Sequence, residues 1–142
     1  EMCLYYPATS ISTDCTPHPQ NPAGQHGERA ARPAGRPFVA DDSVSLFYQD
    51  CVSRHGRAVR CFDFQCLTNK QFVEREISES PVLFSYWTNG WNSGCMHHFD
   101  LHWTGDRFVC AVDGNTDFGH QVSDDHWTVG IYETPSRGKF DN

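Results

Sequence analysis

Apolar and polar positions alternate along most of the chain beyond residue 43. Segments 44–49, 58–67, 71–77, 81–87, 97–104, 107–113, 116–122 and 127–133 each read as a strand, with a short one before them at 2–6. No long segment repeats its apolar residues with a 3.6-residue period, although 71–80 also fits a short helix. The pattern predicts an all-β, antiparallel β-sandwich.

The clearest local signal is the stretch 97–113. Gly105-Asp106 suits a two-residue hairpin loop, with glycine first as a type II′ turn prefers. That turn sets Trp103 opposite Phe108, Leu101 opposite Cys110 and Phe99 opposite Val112. All six side chains then share one face, which is the core side. His98, Asp100 and His102 point the other way, with Asp113 opposite His98. A slip of one residue would mix the two sets, so turn and pattern support the same register. In 59–67 the same parity puts Arg60, Phe62, Phe64 and Cys66 on one face, read as buried, and Val59, Cys61, Asp63 and Gln65 on the other. Asp113-Gly114 offers a second hairpin turn.

Residues 16–42 break the alternation. Pro17, Pro19, Pro22, Pro33 and Pro37 mix with Gly24, Gly27 and Gly35, and Arg29, Arg32 and Arg36 form a basic cluster. Proline removes ladder donors and glycine adds chain entropy, so this is a long irregular N-terminal loop. It lies within a single domain spanning 1–142, a length that holds one core and not two.

Composition adds compartment and partner. Hydrophobic residues make up only 38% of the chain, but aromatics reach 13%, and large rings supply enough buried area for a core. A net charge of −7 disfavours nucleic acid and anionic membrane as partners. No apolar run approaches the roughly 20 residues that span a bilayer, so membrane insertion is not expected. Seven cysteines, Cys3, Cys15, Cys51, Cys61, Cys66, Cys95 and Cys110, point to a secreted, disulfide-stabilised protein. Parity makes Cys66–Cys110 a candidate bridge between sheets, and Cys3–Cys15 would close the N-terminal segment. Buried free thiols are the competing reading. The odd cysteine could bond to a second chain. The cysteine spacing does not fit a zinc finger, and neither metal nor cofactor is expected.

The run from His98 through Phe108 to Gly114 resembles a stretch shared by galectins and other concanavalin A-like jelly rolls. There a Phe-x-Leu-x-aromatic strand, a tight turn and a strand ending in Val-Asp/Asn-Gly follow in order. Phe118 and His120 sit where galectins carry an aromatic and a histidine, and Trp91 is the counterpart of the galectin binding-site tryptophan. The galectin His-x-Asn-x-Arg strand has no match here, and the Glu-x-Asp-x-Glu strand of related glucanases is not reproduced by Glu74, Glu76 and Glu79. The resemblance implies a jelly-roll fold and a lectin-like role.

The run 86–94 carries the residue types that a sugar site uses. Trp87 and Trp91 offer ring faces for the C–H side of a pyranose, and Asn89 and Asn92 offer amides for its hydroxyls. The competing reading gives one indole to the core and the other to a loop cap. His98 and His102 add imidazoles on the outward hairpin face, but they stand about 13 Å apart along the strand, too far to share a metal. The sequence therefore predicts a secreted, lectin-like module that binds a glycan or an extracellular protein through Trp87, Asn89, Trp91, Asn92, His98 and His102. The alternatives are a cysteine-rich effector or toxin engaging a host protein, and a ribonuclease-like hydrolase using His98 or His120 with Glu76 and an arginine. Binding is favoured over catalysis.

Overall fold

A computed structural model describes residues 2–30, 32–40, 42–85, 90–116 and 127–135. Among the described residues, ten strands in antiparallel sheets and one short 3-10 turn make up the regular structure. They are β1 (Tyr5–Pro7), β2 (Cys15–Pro17), β3 (Phe38–Ala40), β4 (Ser43–Asp50), β5 (Ala58–Leu67), β6 (Phe72–Glu76), β7 (Leu83–Phe84), β8 (Phe99–Trp103), β9 (Phe108–Asn115) and β10 (Trp127–Glu133). The large sheet runs β3-β4-β5-β6, with β7 also paired to β5, and the small sheet runs β10-β9-β8. Among the described residues, no helix is long and apolar enough to cross a membrane.

Sheet packs on sheet through a continuous apolar layer. Phe47, Val59 and Cys61 of the large sheet meet Phe99 and Leu101 of the small one, and the Phe47 and Phe99 rings stand 4.6 Å apart. Leu83, Phe99 and Leu101 also touch the cluster of Met96, Cys110 and Val112, which extends the layer across the small sheet. This is the β-sandwich that the alternation predicts.

The hairpin register is the one the turn dictates: Trp103↔Phe108, Leu101↔Cys110 and Phe99↔Val112. Gly105 takes φ +102, a backbone region that glycine enters without steric cost. Burial fades toward the tip. Val112 and Cys110 are buried, whereas Trp103 is 43% exposed, its ring against that of its neighbour Phe108.

The large sheet departs from expectation because it is covered on both faces. Phe62 packs with Leu46, Tyr48 and Ala30 on one side, while Val59 and Cys61 pack toward the small sheet on the other. The irregular N-terminal segment supplies the extra cover. His26 bonds to Glu74 at 2.8 Å and Arg29 to Glu76 at 2.9 Å. The backbone N–H of Gln49 donates to Arg32 O, and that of Ala34 donates to Phe47 O. Ala34 O then accepts from Phe99 N at 2.7 Å, so one fully buried residue ties the two sheets together. Proline and glycine content ruled out a long strand here, but not ordered packing.

The disulfide framework expected from the sequence is not formed: no disulfide joins any two of the seven cysteines. In the N-terminal ribbon Pro7 faces Cys15 and Tyr5 faces Pro17. Cys3 therefore lies four residues along the ribbon from the position facing Cys15, about 13 Å away and outside bridging range. Parity misjudged Cys66 because β5 has two inward faces and a register shift between Phe64 and Cys66. Phe64 packs toward the N-terminal layer, whereas Cys110 lies in the opposite, inter-sheet layer. Burial of Cys61 and Cys110 pushes each thiol up to about 11, so both stay protonated and behave as small apolar side chains.

Candidate functional site

Two polar surfaces stand out. One lies on the outward face of the small sheet, around the end of β9. Asp113 sits opposite His98, as the register requires, but its Oδ1 accepts backbone N–H bonds from His97 at 2.9 Å and His98 at 2.8 Å. Its Oδ2 pairs with the His97 imidazole at Nδ1. Burial pushes the Asp113 carboxyl up, yet these contacts outweigh it and hold the group below the ordinary carboxylate range. Held in this way, the His97 ring stacks on Trp127 with centroids 4.4 Å apart and planes 10° apart. His55, from the β4–β5 connection, meets His97 edge-on at 4.9 Å. Trp127 remains 41% exposed, a large ring fixed in orientation at the surface.

The second surface is a pocket of about 210 Å³ lined by Asp50, Arg57, Ala58, Arg60, Pro81, Phe84 and Ser85. It lies on the face of the large sheet turned away from the small one, where β4 ends and β5 begins. Asp50 is fully buried there, its Oδ1 accepting from Val52 N at 2.9 Å and its Oδ2 from Arg60 Nε at 2.7 Å. Arg60 also gives Nη1 to Glu76 at 2.6 Å, and Glu76 takes Arg29 as well. Arg54 donates to Ser85 Oγ in the pocket wall.

The structure separates the residues named from sequence. Trp87 and Asn89 lie outside the described residues, as do Phe118 and His120. Trp91 covers the inward face of the small sheet: a Cβ on Gly114 or Gly130 would fall 2.7 Å from its ring. Those paired strands have glycine where the indole lies, and the ring also touches the Met96–Cys110–Val112 cluster. Asn92 Nδ2 donates to Met96 Sδ at 3.2 Å. Trp91 and Asn92 are thus committed to packing, on the opposite face of the small sheet from His98 and His102. These two histidines are exposed, with Asp100 between them held by a two-pronged Arg36 contact at 2.6 and 2.8 Å. Of the acid–base set suggested for a hydrolase, His98 is not brought to Glu76, and His120 lies outside the described residues. Glu76 is engaged by Arg60 and Arg29 on the large sheet, while His98 stands on the small one.

Sequence reasoning missed the pocket, although a signal was available. Arg60 shares a face with Phe62 and Phe64, and a guanidinium on a buried face demands carboxylate partners. Trp127 carried no such signal, because it starts a strand whose neighbours are not legible from spacing.

The fold defines a β-sandwich domain, and among the described residues no group of three or more His, Cys, Asp or Glu side chains could hold a metal ion. Residues 1–115 match the family model described as glucosamine inositolphosphorylceramide transferase 1, N-terminal, and the chain belongs to that family. It is 30% identical over 118 residues to glucosamine inositolphosphorylceramide transferase 1 of Arabidopsis thaliana, a match covering 81% of this chain and 15% of the relative. The proteins of that name from Oryza sativa, subspecies indica and japonica, are 28% identical over 100 residues, or 69% of this chain and 13% of theirs. The chain thus spans about one seventh of the relatives' length. No solved structure matches it.

Proposed function

We propose that this domain is a lectin-like module that binds a glycan head group for a larger protein and does not itself catalyse transfer. The relatives' name supplies the ligand class, an amino sugar or an inositol ring. The exposed Trp127 indole carries the reading. One side is braced by His97, whose orientation Asp113 fixes, so the ring is presented without further loss of side-chain freedom when a sugar stacks on it. His98, the exposed residue that follows His97 and also donates its N–H to Asp113, is offered as a polar partner for hydroxyl groups. The setting proposed with this role is outside the cytosol.

Saturation-transfer NMR with glucosamine and with myo-inositol tests the reading. Binding is expected to transfer saturation to the ring protons and to shift the Trp127 indole resonance. Trp127→Ala should weaken binding at least about fivefold, the size of one aromatic stacking contact. Transfer that is absent for both compounds, or equal in the variant, would overturn the proposal.

A further inference from the structure

The pocket beside Asp50 has a charge balance that the glycan reading does not use. Asp50, Arg60, Glu76 and Arg29 form a chain of alternating charge, two carboxylates and two guanidiniums, each in contact with the next at 2.6–2.9 Å. Such a chain satisfies itself. Arg57 lies outside it. Its Nη1 approaches Asp50 Oδ2 only at 3.5 Å, and Arg60 already occupies that oxygen. The Arg57 side chain is 43% exposed at the pocket mouth. A planar guanidinium so placed is suited to a two-pronged contact with a carboxylate or phosphate. Ser85 adds a hydroxyl to the wall, and Phe84 and Pro81 form an apolar side that a ring can lie against.

We propose that this pocket is a second binding site, separate from the Trp127 surface, for a small oxyanion-bearing polyol or sugar. Arg57 takes the oxyanion, and the Phe84 side takes the ring. A volume of about 210 Å³ admits one such ring and not an oligosaccharide. The buried Asp50 contributes indirectly. It neutralises Arg60 beneath the pocket, so the positive field at the mouth comes from Arg57, with the Arg54 guanidinium beside it in the wall.

Isothermal titration of the full chain with glucose 6-phosphate, glucuronate, glucose and inorganic phosphate tests this. At least one of the two anionic sugars should bind, more weakly as salt is raised, and glucose should not. Arg57→Gln should lower that affinity at least tenfold without changing the thermal midpoint, because the side chain is half exposed. Phe84→Ala should weaken the anionic sugar but leave any affinity for inorganic phosphate unchanged. Trp127→Ala should leave all four titrations as they are, which separates this site from the glycan surface. Binding of glucose equal to that of the anionic sugars, no binding of either anionic sugar, or an Arg57→Gln variant that binds like wild type would overturn the proposal.

Discussion

At the scale of single residues, Trp91 shows how one side chain can look like a ligand platform and serve as structure. Its indole fills space that Gly114 and Gly130 leave open, with no room for a methyl group on either. Gly130→Ala should therefore destabilise the domain by about 1–3 kcal/mol, because neither backbone nor ring can yield easily. Trp91→Ala should cost about 3 kcal/mol through the cavity it leaves. The two are coupled. In a Trp91→Ala background, Gly130→Ala should become nearly neutral, and a double-mutant cycle in urea measures the difference. Additive costs would mean that the ring does not occupy that gap. Aromatic and amide residues in a glycine-bounded loop are shared by sugar sites and by packed straps, so the sequence of 90–94 could not separate the two. The glycines that decide the matter lie more than twenty residues away in the chain.

At the scale of elements, the β8–β9 hairpin was legible to the residue and β5 was not. The hairpin has a turn that fixes register and one buried face, so alternation has a single solution. Gly105 is its pivot, and nothing lies within 4 Å of where a Cβ would stand. Gly105→Ala should thus act only through backbone strain at φ +102, costing about 1–2 kcal/mol. Amide exchange should accelerate across β8 and β9 more than across β4 and β5, and uniform acceleration would place the hairpin in one cooperative unit with the large sheet. In β5, by contrast, alternation persists although both faces are covered, because Arg60, Asp63 and Gln65 interrupt a run that is otherwise apolar. Parity then marks one face as solvent when it is the inter-sheet core. The Trp127 and Arg57 surfaces depend on strand ends meeting across long separations, which periodicity does not report.

At the scale of the molecule, three layers are joined by polar contacts, and these give the fold a pH dependence with a definite sign. His55 keeps an exposed edge, but partial desolvation, the neighbouring His97 and the charge of Arg32 together lower its pKa from the ordinary 6.5, against the pull of Asp113. The folded state then binds fewer protons than the unfolded chain, so stability from this group is present above about pH 6.5 and drains as pH falls below it. The carboxylates act in the same direction at lower pH. Burial pushes Glu76 up, but hydrogen bonds from Ser80, Arg60 and Arg29 outweigh it and hold the group below 4.5. The Arg36 contact holds Asp100 below 3.8. Their unfolded counterparts protonate first, so a second decline begins near those ordinary values and ends once the folded groups are protonated. Urea midpoints measured from pH 8 to 3 should fall in two stages. His55→Asn should flatten the upper stage relative to wild type and leave the lower one intact, whereas Arg36→Gln should shrink the lower stage alone. If His55→Asn and wild type follow parallel curves from pH 7.5 to 5.5, the contact between the β4–β5 connection and the small sheet does not carry the proton linkage. The same connection bears Arg57, so a protonated His55 that loosens it would also weaken anion binding at the pocket below pH 6.5. Titrating one anionic sugar at pH 7.5 and 5.5 in wild type and His55→Asn reads that coupling directly, and equal losses in both would assign the effect to the ligand's own ionisation.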